Sequence, residues 1–172
     1  MSSKSGKASD KPFTQRQQRI YDFLSANQVG VLATVDPNGE PHGAVIYFSI
    51  DKDFMVTFLT KSGTKKYDNL TRNNHAVLVV FDPVTQTVAQ LVGKAVEITD
   101  TNNINAIAAA VFKVSLKSSA HGTLPITKLE AGEYAAFQIQ PVQIRMARYG
   151  QLDSGDYREL FESIESFELR AV

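Results

Sequence analysis

Three hydroxyls, two adjacent lysines and a glycine fall together in Thr60-Lys61-Ser62-Gly63-Thr64-Lys65-Lys66. A strand-like run, Phe54 to Leu59, precedes this stretch, and a helix-like run, Lys66 to Asn73, follows it. A helix N-terminus presents unpaired backbone N–H groups and the positive end of the helix dipole. Hydroxyl donors and ammonium groups at the same place make a candidate phosphate cradle. Solvated lysines at a helix start are common, but two of them work against the dipole unless an anion sits beside them. Thr64 is also a sufficient helix N-cap, and a cap and a phosphate ligand are compatible roles. Thr60 closes a strand, where threonine is frequent for propensity alone, and Ser62 is a further hydroxyl in the same loop.

Other chemistry-bearing residues are sparse. Gln90 stands on a strand otherwise rich in Val, Leu and Ala. It either faces solvent or has a partner, because an unpaired buried amide costs about 1–3 kcal/mol. His42, His75 and His121 show no metal-ligand spacing, and no Ser-His-Asp or paired-carboxylate constellation stands out. No catalytic side chain and no metal ligand is therefore assigned. Arg145 and Arg148 are open to an anionic substrate, a second subunit or surface pairing.

Composition narrows the classes. The 172 residues fit one domain, with 43% hydrophobic and 21% charged residues. Lys+Arg 18 against Asp+Glu 18 leaves no basic surplus for nucleic acid. The absence of cysteine excludes disulfides, thiolate zinc sites and a thiol redox pair, so redox chemistry here needs a bound cofactor. No apolar run approaches the ~20 residues of a membrane helix, and the N-terminus has no signal-like apolar core. A cytoplasmic protein, with neither nucleic acid nor membrane as partner, is the expectation.

The elements that must position the cradle follow from periodicity and turns. Residues 1–12 read as a disordered tail, residues 13–150 as the folded domain, and residues 151–172 as a helical C-terminal extension centred on Tyr157 to Phe167. Thr14 with Gln17 forms a capping box for a helix to about Asn27. Val29 to Val35 is a strand, Asp36-Pro37-Asn38-Gly39 a tight turn, and His42 to Ile50 the next strand. Strands at His75 to Phe81 and Thr87 to Ile98 are followed by a helix capped at Thr99-Asp100. Residues 115–132 read as loop-rich. Tyr134 to Ile139 and Val142 to Ala147 read as two strand pieces around Pro141. Short turns join most strands, which requires antiparallel pairing. The expected class is mainly β (α+β), a small antiparallel split β-barrel with peripheral helices.

Four segments in this order resemble the pyridoxamine 5′-phosphate oxidase-like family of FMN-binding split barrels. They are Leu32-Ala33-Thr34-Val35-Asp36-Pro37-Asn38-Gly39-Glu40-Pro41-His42, then Ala44-Val45-Ile46-Tyr47-Phe48, then Leu59-Thr60 with Thr64-Lys65-Lys66 and Leu70, then Gln90-Leu91-Val92-Gly93-Lys94-Ala95-Val96-Glu97. The resemblance spans roughly residues 14–148. It implies a homodimer with FMN at the subunit interface and hydride transfer through flavin N5 with an unknown small-molecule substrate. It also implies that Thr60, Ser62, Thr64, Lys65 and Lys66 hold the phosphate, that Ala44, Val45, Ile46 and Tyr47 run along the ring through their backbone, and that Gln90 bonds the flavin. The family's oxidases end in a segment with tryptophan and an Arg-x-His pattern. This chain has no tryptophan, so the resemblance extends to the flavin half of the site and not to vitamin B6 oxidation. A non-catalytic flavin, deazaflavin or haem-binding split barrel is the alternative.

Overall fold

The computed structural model describes residues 12–118, 125–128, 130, 132–149 and 161–168. Helix α1, Gln15–Ala26, opens on the expected capping box. The Gln17 N–H donates to Thr14 Oγ1 at 3.2 Å, and the Thr14 N–H donates to Gln17 Oε1 at 3.0 Å. Ile20 and Leu24 bury the helix's apolar stripe in the core. Thr14→Ala removes the side-chain half of the box and leaves the backbone half, the Thr14 N–H to Gln17 Oε1. It is expected to cost about 1 kcal/mol and to lower Tm by about 2–4 °C in a thermal melt.

Strands β1, Val29–Val35, and β2, Pro41–Ile50, form the first hairpin. Asp36 closes it: one carboxylate oxygen accepts from the N–H groups of Asn38 and Glu40, at 2.8 and 2.9 Å, while Gly39 takes φ 86°. The chain continues through β3, Val56–Lys61, helix α2, Lys65–Arg72, β4, His75–Asp82, and β5, Thr87–Ile98. Helix α3, Thr101–Ser118, leads past a 3₁₀ turn, Pro125–Lys128, to β6, Tyr134–Tyr149, and β7, Phe161–Glu168. All pairings are antiparallel, in the order β3-β2-β1-β4-β5-β6-β7. A further pairing of β3 with β6, Val56 to Lys61 against Ile139 to Tyr134, closes the first six strands into a barrel. The molecule is thus a small antiparallel split β-barrel with peripheral helices.

The interior is filled by alternate residues of the six strands, among them Leu32, Phe48, Phe58, Leu78, Leu91 and Phe137. Phe58 and Phe137 stack across the closing β3–β6 seam with ring centroids 5.8 Å apart, and Tyr67 of α2 meets Phe137 edge-on. The helix thereby rests on the seam that closes the barrel.

Three expectations from the sequence are corrected. The extension predicted to be helical over residues 157–167 carries strand β7. Phe161, Ile164 and Phe167 recur every third residue, which mimics a helix, but β6 offers a better partner. Its first half is paired to β3, and beyond Pro141 that edge is free for β7. The two strand pieces expected around Pro141 are one continuous β6. A bulge at Val92/Gly93 absorbs the proline, and Gly93 is needed there because a Cβ would run into the Gln140 carbonyl oxygen. Helix α3 also reaches Ser118, further than the loop-rich stretch expected from residue 115. Residues 1–11, which include nearly all of the expected tail, and His121 lie outside the described residues. None of the described helices is long and apolar enough to cross a membrane.

Candidate functional site

The split in the barrel lies between β2 and β3. These strands pair only over Phe48 to Ile50 against Phe58 to Val56. Beyond that point β3 follows β6, whereas β2 from Tyr47 back to Pro41 stays on β1. The second edge of β2 over Pro41 to Tyr47 therefore has no partner strand among the described pairings, so N–H and C=O groups along it lack a ladder. Ala44, Val45, Ile46 and Tyr47 all lie on this segment. Ile46 is buried in the core, Ala44 and Tyr47 are half-buried, and Val45 points outward with 63% of its surface exposed.

Thr60, Thr64 and Lys66 converge at the end of β3. Thr60 is fully buried. The Lys66 Nζ donates to Thr60 Oγ1 at 3.3 Å, and the two threonine hydroxyls lie 3.0 Å apart. Thr64 donates in turn to the Lys61 carbonyl at 2.8 Å, so the Thr60 hydroxyl is left to donate to Thr64. The result is a directed relay, lysine to threonine to threonine to backbone. Thr64 occupies the N-cap position of α2, as expected, but its side chain does not cap. The hydroxyl is turned toward Thr60 and the Lys61 carbonyl, and no first-turn N–H of α2 donates to it. Burial pushes the Lys66 ammonium below the ordinary lysine pKa, and among the described residues no carboxylate pairs with it. A desolvated cation beside an uncapped helix N-terminus fits a multiply charged anion such as a phosphate monoester.

Ser62 and Lys65 stand apart from this relay. The Ser62 hydroxyl accepts from the Glu133 N–H at 3.1 Å and the Ser62 N–H donates to the Glu133 carbonyl at 2.9 Å. The residue thus pins the β3–α2 loop to the approach to β6. Gly132, at φ 85°, packs so closely on Ser62 that a side chain there would collide with its hydroxyl. Lys65 points to the other flank of α2 and lines a cleft of about 360 Å³ facing the β1–β2 hairpin. Tyr67 turns away from the cleft, and the Glu97 carboxylate beside its phenol holds the phenol above its ordinary pKa.

Gln90 is exposed, on the outer face of the sheet. Strand register places it in one row, Val45–Val31–Val79–Gln90–Arg145, that crosses five strands. Val31 and Phe81 on this face are also exposed, at 45% and 55%, so a broad apolar band surrounds the polar pair. The sequence did not mark this band, because alternating Val and Ala on a barrel strand read equally as inward or outward.

Asn69 was missed by the sequence reading, whereas His42 stands, as expected, at the head of the strand read as running along the ring. Asn69, buried within α2, donates to Thr34 Oγ1 at 3.0 Å and ties the helix to β1. His42 lines the cleft with a buried Nδ1 that has no hydrogen-bond partner. Among the described residues no three His, Asp or Glu gather as a metal site.

A six-strand antiparallel barrel, closed by β3 on β6 and split between β2 and β3, defines the class of small split-barrel proteins. A family model described as pyridoxamine 5′-phosphate oxidase matches residues 17–148, and the chain belongs to that family. A curated relative from Streptomyces rimosus, a 5a,11a-dehydrotetracycline/5a,11a-dehydrooxytetracycline reductase, is 34% identical over 74 residues, 41% of this chain. The matched region spans half the length of that relative. Among solved structures, a pyridoxamine 5′-phosphate oxidase-related, FMN binding protein from Nostoc punctiforme superposes with a TM-score of 0.58 at 15% identity, covering 94% of this chain and all of that one. A heme binding protein from Mycobacterium smegmatis superposes at 0.61 and 15% identity, covering 92% of this chain and 60% of that one. At such identities the superpositions establish the fold alone.

Proposed function

We propose that the protein is a homodimeric FMN-dependent oxidoreductase acting on a small organic substrate. The observation that carries this reading is the desolvated Lys66 without a carboxylate partner, set where the split exposes an unpaired strand edge. In this arrangement Lys66 and the first N–H groups of α2 receive the phosphate, and Lys65 approaches it from the cleft side. Thr60 and Thr64 act behind Lys66: the Thr60 hydroxyl accepts a hydrogen bond from its ammonium, and Thr64 orients that hydroxyl. The unpaired edge of β2 over Ala44 to Tyr47 orients the ring through backbone donors and acceptors, and Gln90 meets the ring's polar edge from the neighbouring subunit. The bound flavin supplies two-electron chemistry, which suits a chain with no cysteine and no acid–base constellation. Family membership and the partial likeness to a reductase support the redox reading.

Anaerobic mixing of the FMN-loaded protein with NADH or NADPH tests turnover. Loss of the flavin's visible absorbance, restored by an acceptor, supports an enzyme. An unreduced flavin under both donors favours a carrier.

The dimer has its own test. The exposed row from Val45 to Arg145 lies on a face large enough in kind to be covered by a second copy, since monomers rarely leave such bands open. Val45→Asp puts a charge on the most exposed valine of this row, at its β2 end. It is expected to convert the protein to monomers in light scattering and to weaken FMN binding with it, because the site is then incomplete. A V45D protein that stays dimeric would place the interface elsewhere.

A further inference from the structure

The cleft between the β1–β2 hairpin and α2 has a polar residue that the fold does not use. Of its lining, Asp36 is occupied by the turn N–H groups of Asn38 and Glu40, and Asn69 by Thr34. His42 is different. Its main-chain carbonyl accepts from Thr34, at a long 3.4 Å, but its Nδ1 is enclosed and finds no donor or acceptor. A buried polar atom in that state costs about 1–3 kcal/mol unless something polar occupies the space beside it. Charged groups face it from both walls: Asp36 and Glu40 from the hairpin, Lys65, Asp68 and Arg72 from α2. Among the described residues none of Glu40, Lys65, Asp68 or Arg72 closes the cleft with an ion pair.

The register makes the imidazole relevant to the ligand. His42 and Ala44 are two apart on β2 and so share a face, and β2 carries them along the edge that has no partner strand. Ala44 has only a methyl group there. His42 and Lys65, from β2 and from the start of α2, line the same cleft.

We propose that His42 is a ligand-binding residue: its Nδ1 hydrogen-bonds an oxygen on the ribityl–phosphate arm of the bound flavin, from the strand side, opposite the lysines. This rests on the flavin reading above, and deepens it by adding a contact outside the lysine–threonine cradle. Ribityl hydroxyl and phosphate share the chemistry needed, an oxygen within reach of an imidazole nitrogen. The cleft volume, about 360 Å³, is of the size that takes the arm of a cofactor and not merely a water.

The test is a fluorescence titration of the purified protein and two variants with FMN, riboflavin and lumiflavin, together with thermal melts in the absence of flavin. His42→Asn keeps a polar nitrogen or oxygen close to the Nδ1 position, whereas His42→Leu keeps volume and removes the hydrogen bond. The expected result is a loss of FMN affinity of roughly tenfold in H42L and within about threefold of wild type in H42N. Melting temperatures without flavin are expected to be equal or higher in H42L, since an unpaired buried group is removed. A riboflavin loss equal to the FMN loss assigns the contact to the ribityl hydroxyls. A loss confined to FMN assigns it to the phosphate. Equal losses for all three, lumiflavin included, would place His42 at the ring and overturn the arm assignment. Unchanged FMN affinity in H42L overturns the proposal while the flavin reading stands. If the wild-type protein takes up none of the three, the flavin reading itself fails.

Discussion

Lys66→Met is expected to weaken FMN binding by roughly 10- to 100-fold, the range for removing a charge-assisted hydrogen bond from a partly dry site. Methionine keeps the unbranched stem, so packing around α2 should survive. The free variant should be at least as stable as wild type, because a desolvated ammonium without a carboxylate is a cost to the fold. That combination, equal or better melting with poorer binding, separates a ligand-holding lysine from a structural one. A K66M protein that binds FMN as tightly as wild type sinks the cradle.

The same lysine sets a pH dependence. Burial holds its pKa below the ordinary lysine value. In the window between that lowered pKa and the ordinary one, the unfolded chain binds the proton more readily than the folded protein. Stability of the free protein therefore rises with pH there. A phosphate beside Lys66 favours its charged form, so binding takes up a proton in the same window. FMN affinity should accordingly fall as pH rises through the alkaline range below the ordinary lysine pKa, and the fall should be absent in K66M. Titrations at stepped alkaline pH read both curves.

Phe137→Ala carries the largest expected effect on the fold. Phe137 is almost fully buried, stacks on Phe58 across the β3–β6 seam and receives the edge of Tyr67 from α2. Truncating a buried phenylalanine costs about 3–5 kcal/mol, much of it from the cavity left behind. Against a total stability of about 5–15 kcal/mol, that is a large share. The expected drop in Tm is about 6–20 °C by calorimetry. Because Tyr67 follows Lys66 in sequence, loosening its support should also raise the FMN dissociation constant. A melting temperature within about 2 °C of wild type would mean that the seam does not hold the barrel closed.

Much of this arrangement was legible in the residues. Asp36-Pro37-Asn38-Gly39 has one reading, and β1 and β2 lie on either side of it as expected. The Thr14–Gln17 box begins α1 where the pattern placed it. Clustering of Thr60, Thr64 and Lys66 followed from the strand-to-helix transition, since that corner brings residues four and six apart onto one side. What the sequence did not carry is mostly non-local. The unpaired edge of β2 exists only because β3 leaves it for β6, a choice made by residues some eighty positions away. β7 is a strand because β6 has a free edge beyond Pro141, whereas Phe161, Ile164 and Phe167 are spaced for a helix. Thr64 sits at the N-cap without capping, because its hydroxyl is turned toward Thr60 and the Lys61 carbonyl. The divergence of Lys65 and Lys66 follows from the roughly 100° step between neighbours on a helix. Which of the two turns inward depended on where β3 ends.

The most direct test of the central claim is to incubate the purified protein with excess FMN, remove the unbound fraction by gel filtration and record the absorption spectrum of the protein peak. One retained flavin per chain, co-eluting with a dimer and lost in K66M, is the predicted result. A folded protein that emerges without flavin absorbance, while K66M behaves identically, would contradict this reading and leave the half-buried lysine for another anion.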